Sequence, residues 1–524
     1  MNSQGTIKHF ISEKRWRYLA IIVLVLGIFF RFVNIEQKAY WYDETFTSLQ
    51  LSGYNGKEVM AEVLDGAVVG SKDLEKYQYP SNSEKTVIDT IQGVATIEPQ
   101  LTPLYFVIAR YWAQWVGHSV TLIRSLSAVF GLLVLPCAYW LCWELFRSPS
   151  IGWLAVMLMA VSPFHLLYAQ EARPYSLWTV AILFSSTLFL RAMRLQTRAS
   201  WIIYGLSVTL GLFSFLISIL VYLGHGIYVL ITEKFRFTKK LVAYLISSIA
   251  GFLAFLPWMY FVVTILPKIE SSPGNFRSET LPLHLYIIKW IRSISLFFFA
   301  DFNLSEESQL IYLVPFGVVL LLLLGLVAYS IYFIAFHGTE KARLFVLTLI
   351  FTTAIALMLL DLIAGGSRSI VTRYMIPCFL GIQLAVSYVL AKNLDSHKLW
   401  QQRFWQVTTV ALISIGILSC VSYTNSEVWW TKADDNAHIE IARIINQTER
   451  PLLVSDVWIV KVISLNHKLD EKVRFQLVSE GHIPKIAQGF SDVFLFSPSE
   501  TLLAGLKKNY GIEPVSEPWL WKLK

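Results

Sequence analysis

Apolar residues along this chain gather in long, Leu-rich runs without the period-two alternation of a strand, so the pattern predicts helices rather than a barrel. A helix that crosses a bilayer takes about 20 predominantly apolar residues. Such runs lie at 17–35, 122–146, 151–169, 175–193, 201–214, 216–232, 241–265, 311–336, 343–363, 374–391 and 405–423, eleven predicted spans of which the two between 201 and 232 are the shortest. Basic residues (Lys8, Lys14, Arg15, Arg17) precede the first run as in a signal peptide. No small-residue cleavage site follows before Arg31, Phe32 and Val33, so it reads as an uncleaved span. Three long polar segments interrupt the runs, at 36–121, 266–310 and 424–524. The last alternates short β-like runs (452–454, 473–477, 493–496) with helical stretches (434–447, 499–509), which predicts a small α/β domain. Residues 103–117 are aromatic-rich and too short to cross, and predict a juxtamembrane helix lying along the surface. The expected architecture is mainly α: a polytopic membrane module over 1–423, with an outer loop at 36–121 and an outer segment at 266–310, then a C-terminal α/β domain over 424–524.

Composition removes the soluble alternatives. Of 524 residues, 55% are hydrophobic and 15% charged, against about 25% charged in an ordinary soluble domain. The net charge of +8 would suit a nucleic-acid partner if it were clustered on one surface. Instead the basic residues sit in short connections: Arg147; Arg191, Arg194 and Arg198; Lys234, Arg236, Lys239 and Lys240; Lys341 and Arg343; Lys392, Lys398 and Arg403. With an odd number of spans all of these fall on the N-terminal side, which the positive-inside rule assigns to the cytoplasm. The three long segments then face the outside of the cytoplasmic (inner) membrane, and nucleic acid drops out as a partner. Cys137, Cys142, Cys378 and Cys420 lie inside apolar runs and read as buried free thiols, not as a disulfide or zinc framework.

Three groups of ionisable residues lie close to the outer ends of the spans. Trp41-Tyr42-Asp43-Glu44 closely follows the first span, where adjacent carboxylates at lipid headgroups suit a general base acting on an amphiphilic substrate. The plainer reading is that the acids solvate a helix start and the aromatics anchor the interface. Tyr168-Ala169-Gln170-Glu171-Ala172-Arg173-Pro174-Tyr175 joins two spans with more acid, guanidinium and amide than a turn requires. Its plainer reading is an internal Glu171–Arg173 ion pair. Arg368 and Arg373-Tyr374 break the positive-inside trend, either as a phosphate clamp or as snorkelling arginines. No cofactor is called for. A divalent cation beside the acids stays open, with no His-rich ligand set to mark one.

Arg31 with Trp41-Tyr42-Asp43-Glu44, the run Thr102-Pro103-Leu104-Tyr105 leading to Gly117 and Arg124-Ser125-Leu126-Ser127, and Ser162-Pro163 followed by Tyr168 to Tyr175 together resemble the GT-C glycosyltransferases of family 39 type. That superfamily includes protein O-mannosyltransferases and the aminoarabinose transferases of lipid A. The resemblance is strongest over 20–230, with Arg373-Tyr374 near Pro377 as a further match, and does not reach the C-terminal domain. It implies a GT-C-like membrane fold and a hexosyl- or pentosyltransferase that moves one sugar from a polyprenyl-phosphate carrier to the hydroxyl of a glycan, lipid or protein acceptor. It further implies Asp43 as catalytic base with Glu44 beside it. Gln170, Glu171, Arg173 and Tyr175 would contact substrate from the second outer loop, with Arg373 and Tyr374 near the carrier phosphate. The Lys-Pro-Pro element of the aminoarabinose enzymes is replaced here by Leu101-Thr102-Pro103-Leu104, so that particular activity does not carry over. A transporter or flippase for lipid-linked sugars, or a non-catalytic polymerase partner, is the competing expectation.

Overall fold

The computed structural model describes residues 3–54, 56–79, 85–98, 100–269, 281–299, 310–428 and 433–524. The chain divides into two compact units: Met1–Val33, Ser127–Gln170 and Pro174–Asn425 form one, and Asn34–Leu126, Glu171–Arg173 and Ser426–Lys524 the other. These boundaries differ from a single cut after residue 423, because residues of the first outer segment fold with the C-terminal ones.

In the first unit every predicted span falls on a helix or a bent helix pair. By length and apolarity seven described helices reach across a bilayer, or eight if the bent pair counts as one span. Arg198–Ser214 and Ser218–Thr232, with 17 and 15 residues, are the short ones. This is a multi-pass membrane protein. The helix Thr372–Leu394 has 94% of its most apolar stretch buried, against 22% for Gly317–His337, so the former is the centre of the bundle and the latter its lipid-facing rim. The bent pair, Pro149–Ala160 and Pro163–Ala169, turns by 61°. Its cause is local: Pro163 disfavours helical geometry at Ser162, whose extended backbone restarts the helix as an N-cap. Of the outer segment 266–310, residues 270–280 and 300–309 lie outside the described residues, and between them runs the helix Leu283–Ser295.

Arg31 ties this unit together. It is fully buried, and its Nη1 donates to the carbonyls of Gly27 at 2.6 Å and Ala160 at 3.0 Å, with Nη2 donating to Met159 at 3.2 Å. Those last two carbonyls end the helix Pro149–Ala160, where helix carbonyls lack intrahelical partners and the dipole favours a cation. The close approach requires glycine on the first helix, since a Cβ on Gly27 would stand 2.8 Å from both the Cβ and the carbonyl oxygen of Ala160.

The second unit is built on a six-stranded sheet: β1 (Asp65–Gly70), β2 (Pro451–Ser455), β3 (Arg474–Val478), β4 (Asp492–Phe496), β5 (Ile512–Ser516) and β6 (Leu520–Leu523), in the order β1-β3-β2-β4-β6-β5. The central β2 runs parallel to both neighbours, with Leu453 opposite Phe475 and Phe494. All five of its residues are buried, as expected of a strand covered on both faces. Leu453 packs with Ile441, Ile445, Ile459 and Ile463 from the helices Ala433–Asn446 and Ile459–Asn466. On the opposite face Leu452 and Val454 meet Leu502 and Leu506 of Glu500–Lys507. The predicted runs and helices of 424–524 thus appear within a residue or two of their expected places. The edge strand β1 comes from the first outer segment and pairs antiparallel to β3.

Gly27→Val should destabilise the detergent-purified protein by about 1–3 kcal/mol of overpacking, read as a lower thermal midpoint. Gly325→Ala, where a Cβ meets open space, should leave it within about 0.5 kcal/mol. Equal midpoints for the two variants would remove Arg31 and Gly27 from the closure of the bundle.

Candidate active site

The acidic pair opens a short helix of the second unit, Tyr42–Ser52. Trp41 is extended ahead of it, Asp43 and Glu44 occupy its first turn where the dipole favours negative charge, and Gly53 ends it with φ of 84°. The helix is unusual in burying polar side chains: Asp43, Glu44, Thr45, Thr47, Ser48, Gln50 and Ser52 are all withdrawn from solvent. Buried polar groups need partners. Ser48 pairs with the Tyr40 hydroxyl at 2.7 Å, and Ser52 donates to the carbonyls of Leu49 and Tyr77 at 2.8 and 3.1 Å. Its apolar contribution, Leu49, joins the core built around β2, which seats the helix on the sheet domain.

Three buried arginines clasp this helix. At its start Arg124 grips Glu44 in a bidentate pair, Nε to Oε1 at 2.8 Å and Nη2 to Oε2 at 2.6 Å. Arg124 also donates to the carbonyls of Ile35 at 2.7 Å and Ala39 at 3.0 Å. Both side chains are fully buried. The backbone N–H of Ala172 donates to the same Glu44 Oε1 at 2.8 Å. In the middle Arg173 donates through Nη1 to the Asp43 carbonyl at 2.9 Å and to Thr47 Oγ1 at 3.3 Å. Its two Nη atoms also hold Glu98, at 3.0 and 2.9 Å, while its Nη2 lies 4.0 Å from Asp43 Oδ2. At the far end Arg110 donates to the Leu51 carbonyl at 2.6 Å from the helix Leu104–Val116, the expected juxtamembrane element. That helix buries Tyr105 and Phe106 and exposes Trp115 and Tyr111. Burial holds Arg110 below its ordinary pKa. Behind Tyr40, burial and then the charges of Arg124 and Lys468 push His467 down to about 3, so it stays neutral beside the clasp.

The structure therefore gathers Asp43, Glu44, Glu171 and Arg173 in one unit, with Glu171 fully buried beside the Ala172 and Arg173 contacts. Glu44 is engaged by Arg124 and the Ala172 N–H, whereas Asp43 points toward the Arg173–Glu98 pair. The other singled-out residues belong to the membrane unit. Gln170 is buried and donates from Nε2 to the carbonyls of Phe30 and Val33, at 2.8 and 2.9 Å, capping the first helix. Arg373 is half-buried, its guanidinium carbon 5.6 Å from the ring centres of both Tyr175 and Tyr374, so two aromatic faces orient it. Arg368 is held by Asp361, its backbone N–H donating to Oδ1 at 3.0 Å and its Nη1 at 3.3 Å. An internal acid thus accounts for this basic residue at the end of a span. Two residues of the cluster are missing from those the sequence singles out for chemistry, Glu98 and Arg124. Glu98 has one signal, an acid beside Pro99 directly ahead of Leu101-Thr102-Pro103-Leu104. Among the described residues no group of three His, Cys, Asp or Glu could hold a metal ion. Cys137, Cys142, Cys378 and Cys420 are free thiols.

Residues 99–261 match the family model described as dolichyl-phosphate-mannose-protein mannosyltransferase. No curated protein matches the chain. Among solved structures, apo ArnT from Cupriavidus metallidurans shares the fold with a TM-score of 0.52 at 11% identity, over 98% of this chain and 98% of that one. ArnT bound to undecaprenyl phosphate gives 0.49 at 12% identity, over 100% of this chain and 98% of that one. The apo oligosaccharyltransferase of Archaeoglobus fulgidus gives 0.47 at 12% identity, over 88% of this chain and 65% of that one. The family match and the shared ArnT fold bear out the resemblance read from the residues: the chain has the fold of the GT-C membrane glycosyltransferases.

Removing one partner of a buried pair leaves the other charge uncompensated, at a cost of about 3–5 kcal/mol. Arg124→Met should therefore lower the unfolding midpoint sharply, and adding Glu44→Leu in the same chain should recover part of the loss. A double variant no better than Arg124→Met would show that the two side chains are not coupled.

Proposed function

We propose that this protein transfers a single sugar from a polyprenyl-phosphate carrier to an acceptor hydroxyl of a glycan, lipid or protein, at the outer face of the cytoplasmic membrane. The observation that carries the reading is the Asp43–Arg173–Glu98 cluster on the clasped helix. It is supported by a family match to enzymes described by a dolichyl-phosphate-mannose donor. Glu44 is committed to Arg124 and acts as a positioning residue. Asp43, its neighbour, stands 4.0 Å from a guanidinium whose charge Glu98 already balances. A carboxylate so placed is oriented by the cation, which suits it to receive the proton of an acceptor hydroxyl.

In the reaction we assign, the acceptor oxygen attacks the anomeric carbon while Asp43 takes the hydroxyl proton. The bond from that carbon to the phosphate oxygen breaks, its electron pair leaves with the carrier phosphate, and the anomeric configuration inverts. The leaving group is already anionic, so it needs electrostatic stabilisation more than protonation. In the membrane unit Arg373, oriented between Tyr175 and Tyr374, has the chemistry to bind a phosphate, since guanidinium matches phosphate oxygens bidentately. The aromatic helix Leu104–Val116, with Trp115 exposed, suits a position at headgroup level.

A general base contributes about 10²–10⁴-fold. Asp43→Asn should lose that much transfer of radiolabelled sugar from the lipid carrier while retaining carrier binding. Near-wild-type turnover would remove Asp43 from the role, and sugar that only changes leaflet would indicate transport instead. Arg373→Gln should raise the KM for the lipid-linked donor about tenfold or more, with Arg373→Lys recovering part of the charge effect. An unchanged KM in both would exclude a phosphate contact.

A further inference from the structure

The basic end of the membrane unit carries a cluster that the transfer reaction does not use. Glu144 is 2% exposed near the end of Val120–Phe146. It accepts from Arg147 Nη2 at 2.8 Å and from Arg194 Nε and Nη2 at 3.1 and 2.9 Å. Lys341 Nζ, from the first turn of Glu340–Ala364, donates to the Glu144 carbonyl at 3.0 Å. Arg191 Nη1 stands 4.0 Å from Glu144 Oε1, beyond hydrogen-bond reach, and half of its side chain is exposed. Three arginines thus face one carboxylate and Lys341 holds the carbonyl of the same residue, four cations around a single acid, carried by three helices and the residue that follows one of them. Turn geometry does not require this, because one arginine would satisfy Glu144. Packing like charges this closely is unfavourable unless an anion joins them.

Arg191 also lines, with Thr197 and Ser200, a groove of about 180 Å³ between Tyr175–Leu195 and Arg198–Ser214. The walls include Leu188, Leu195 and Ile203. Leu188 and Leu195 lie one helical turn either side of Arg191, so the cation and the apolar wall share one helix face. Leu195 and Ile203 are 39% and 47% exposed. Trp143, under the Arg147 guanidinium at 6.0 Å, is placed as aromatic residues are at a membrane interface.

We infer that this end of the bundle binds an anionic phospholipid. The lipid phosphate bonds to the Arg191 guanidinium, Arg147 and Lys341 add to the field, and an acyl chain lies along Leu188, Leu195 and Ile203. The charge surplus selects an anionic headgroup over a zwitterionic one, and the apolar groove selects a lipid over a free anion. Basic pockets between transmembrane helices on the cytoplasmic side are suited to such headgroups.

The test is native mass spectrometry of the detergent-purified full chain with added phosphatidylglycerol, phosphatidylcholine or inorganic phosphate. One juxtamembrane cation near a membrane surface contributes roughly a fivefold preference. Wild-type protein should retain phosphatidylglycerol at least that much better than phosphatidylcholine, and Arg191→Gln should bring the two toward parity. Ile203→Trp, which fills the groove and leaves every charge in place, should also release phosphatidylglycerol. Equal retention of the two lipids by wild-type protein overturns the proposal, as does undiminished retention in Ile203→Trp. Displacement of the lipid by inorganic phosphate, with Ile203→Trp unaffected, would make the ligand a free anion and overturn it as well. Thermal midpoints check that each variant is folded, and if Arg191→Gln is not, the Ile203→Trp arm decides.

Discussion

A carboxylate and a guanidinium that have both lost water must hold each other, and Arg124 with Glu44 does so at the head of the helix Tyr42–Ser52. The pair fixes more than a local contact. Successive side chains on a helix point about 100° apart, so pinning Glu44 sets the direction of Asp43. Arg173 reaches the next turn of the same helix at Thr47 and Arg110 the Leu51 carbonyl near its end, and the Ala172 N–H donates to Glu44. A helix this short has little stability of its own. Side chains on three separate stretches of chain therefore decide where its acids point.

Arginine plays several distinct parts in this protein, and partners separate them. Arg31 is enclosed by carbonyls at the end of a helix, which suits a permanent structural cation. Arg368 is met by Asp361 and Arg124 by Glu44, each with backbone hydrogen bonds completing its environment. Arg373 lies over two aromatic rings, and Arg191 shares a carboxylate already taken. The first three are complete within the fold. The last two are the ones we propose to meet a phosphate.

Much of the architecture was legible in the chain because a bilayer imposes long apolar runs, and those runs became helices. The strands β2, β3 and β4 were legible for a related reason, each being a short apolar run covered on at least one face. Strand β1 was not: Asp-Gly-Ala-Val-Val-Gly has few apolar residues, lies at the sheet edge, and depends on a partner near residue 476. Strands β5 and β6 are short, and one contains Pro514. At the site, Asp43 stood out because it sits with Glu44 beside two aromatics just after the first span, and Arg173 because its connection needs only a turn. Glu98 was one acid among many in a polar loop, and only the fold shows that it balances Arg173. Glu44 was legible as an acid but not as the partner of Arg124, eighty positions away.

The pairing of β1 with β3 also sets a schedule. The hydrogen bond between Ser71 and Asn466 spans 395 positions, and the core that seats Leu49 is filled mostly by side chains from beyond residue 440. Contacts this distant in sequence form late, because the intervening chain must first be in place. During synthesis the first outer segment has to wait, through the insertion of every later span, for the strands it will join. Until then its acidic helix has, of that core's buried side chains, only Val59, Val63, Leu74 and Tyr77 of its own segment to pack against, a small part of its final seat. A chain stopped before β3 would leave β1 as an unpaired edge, open to association with other chains.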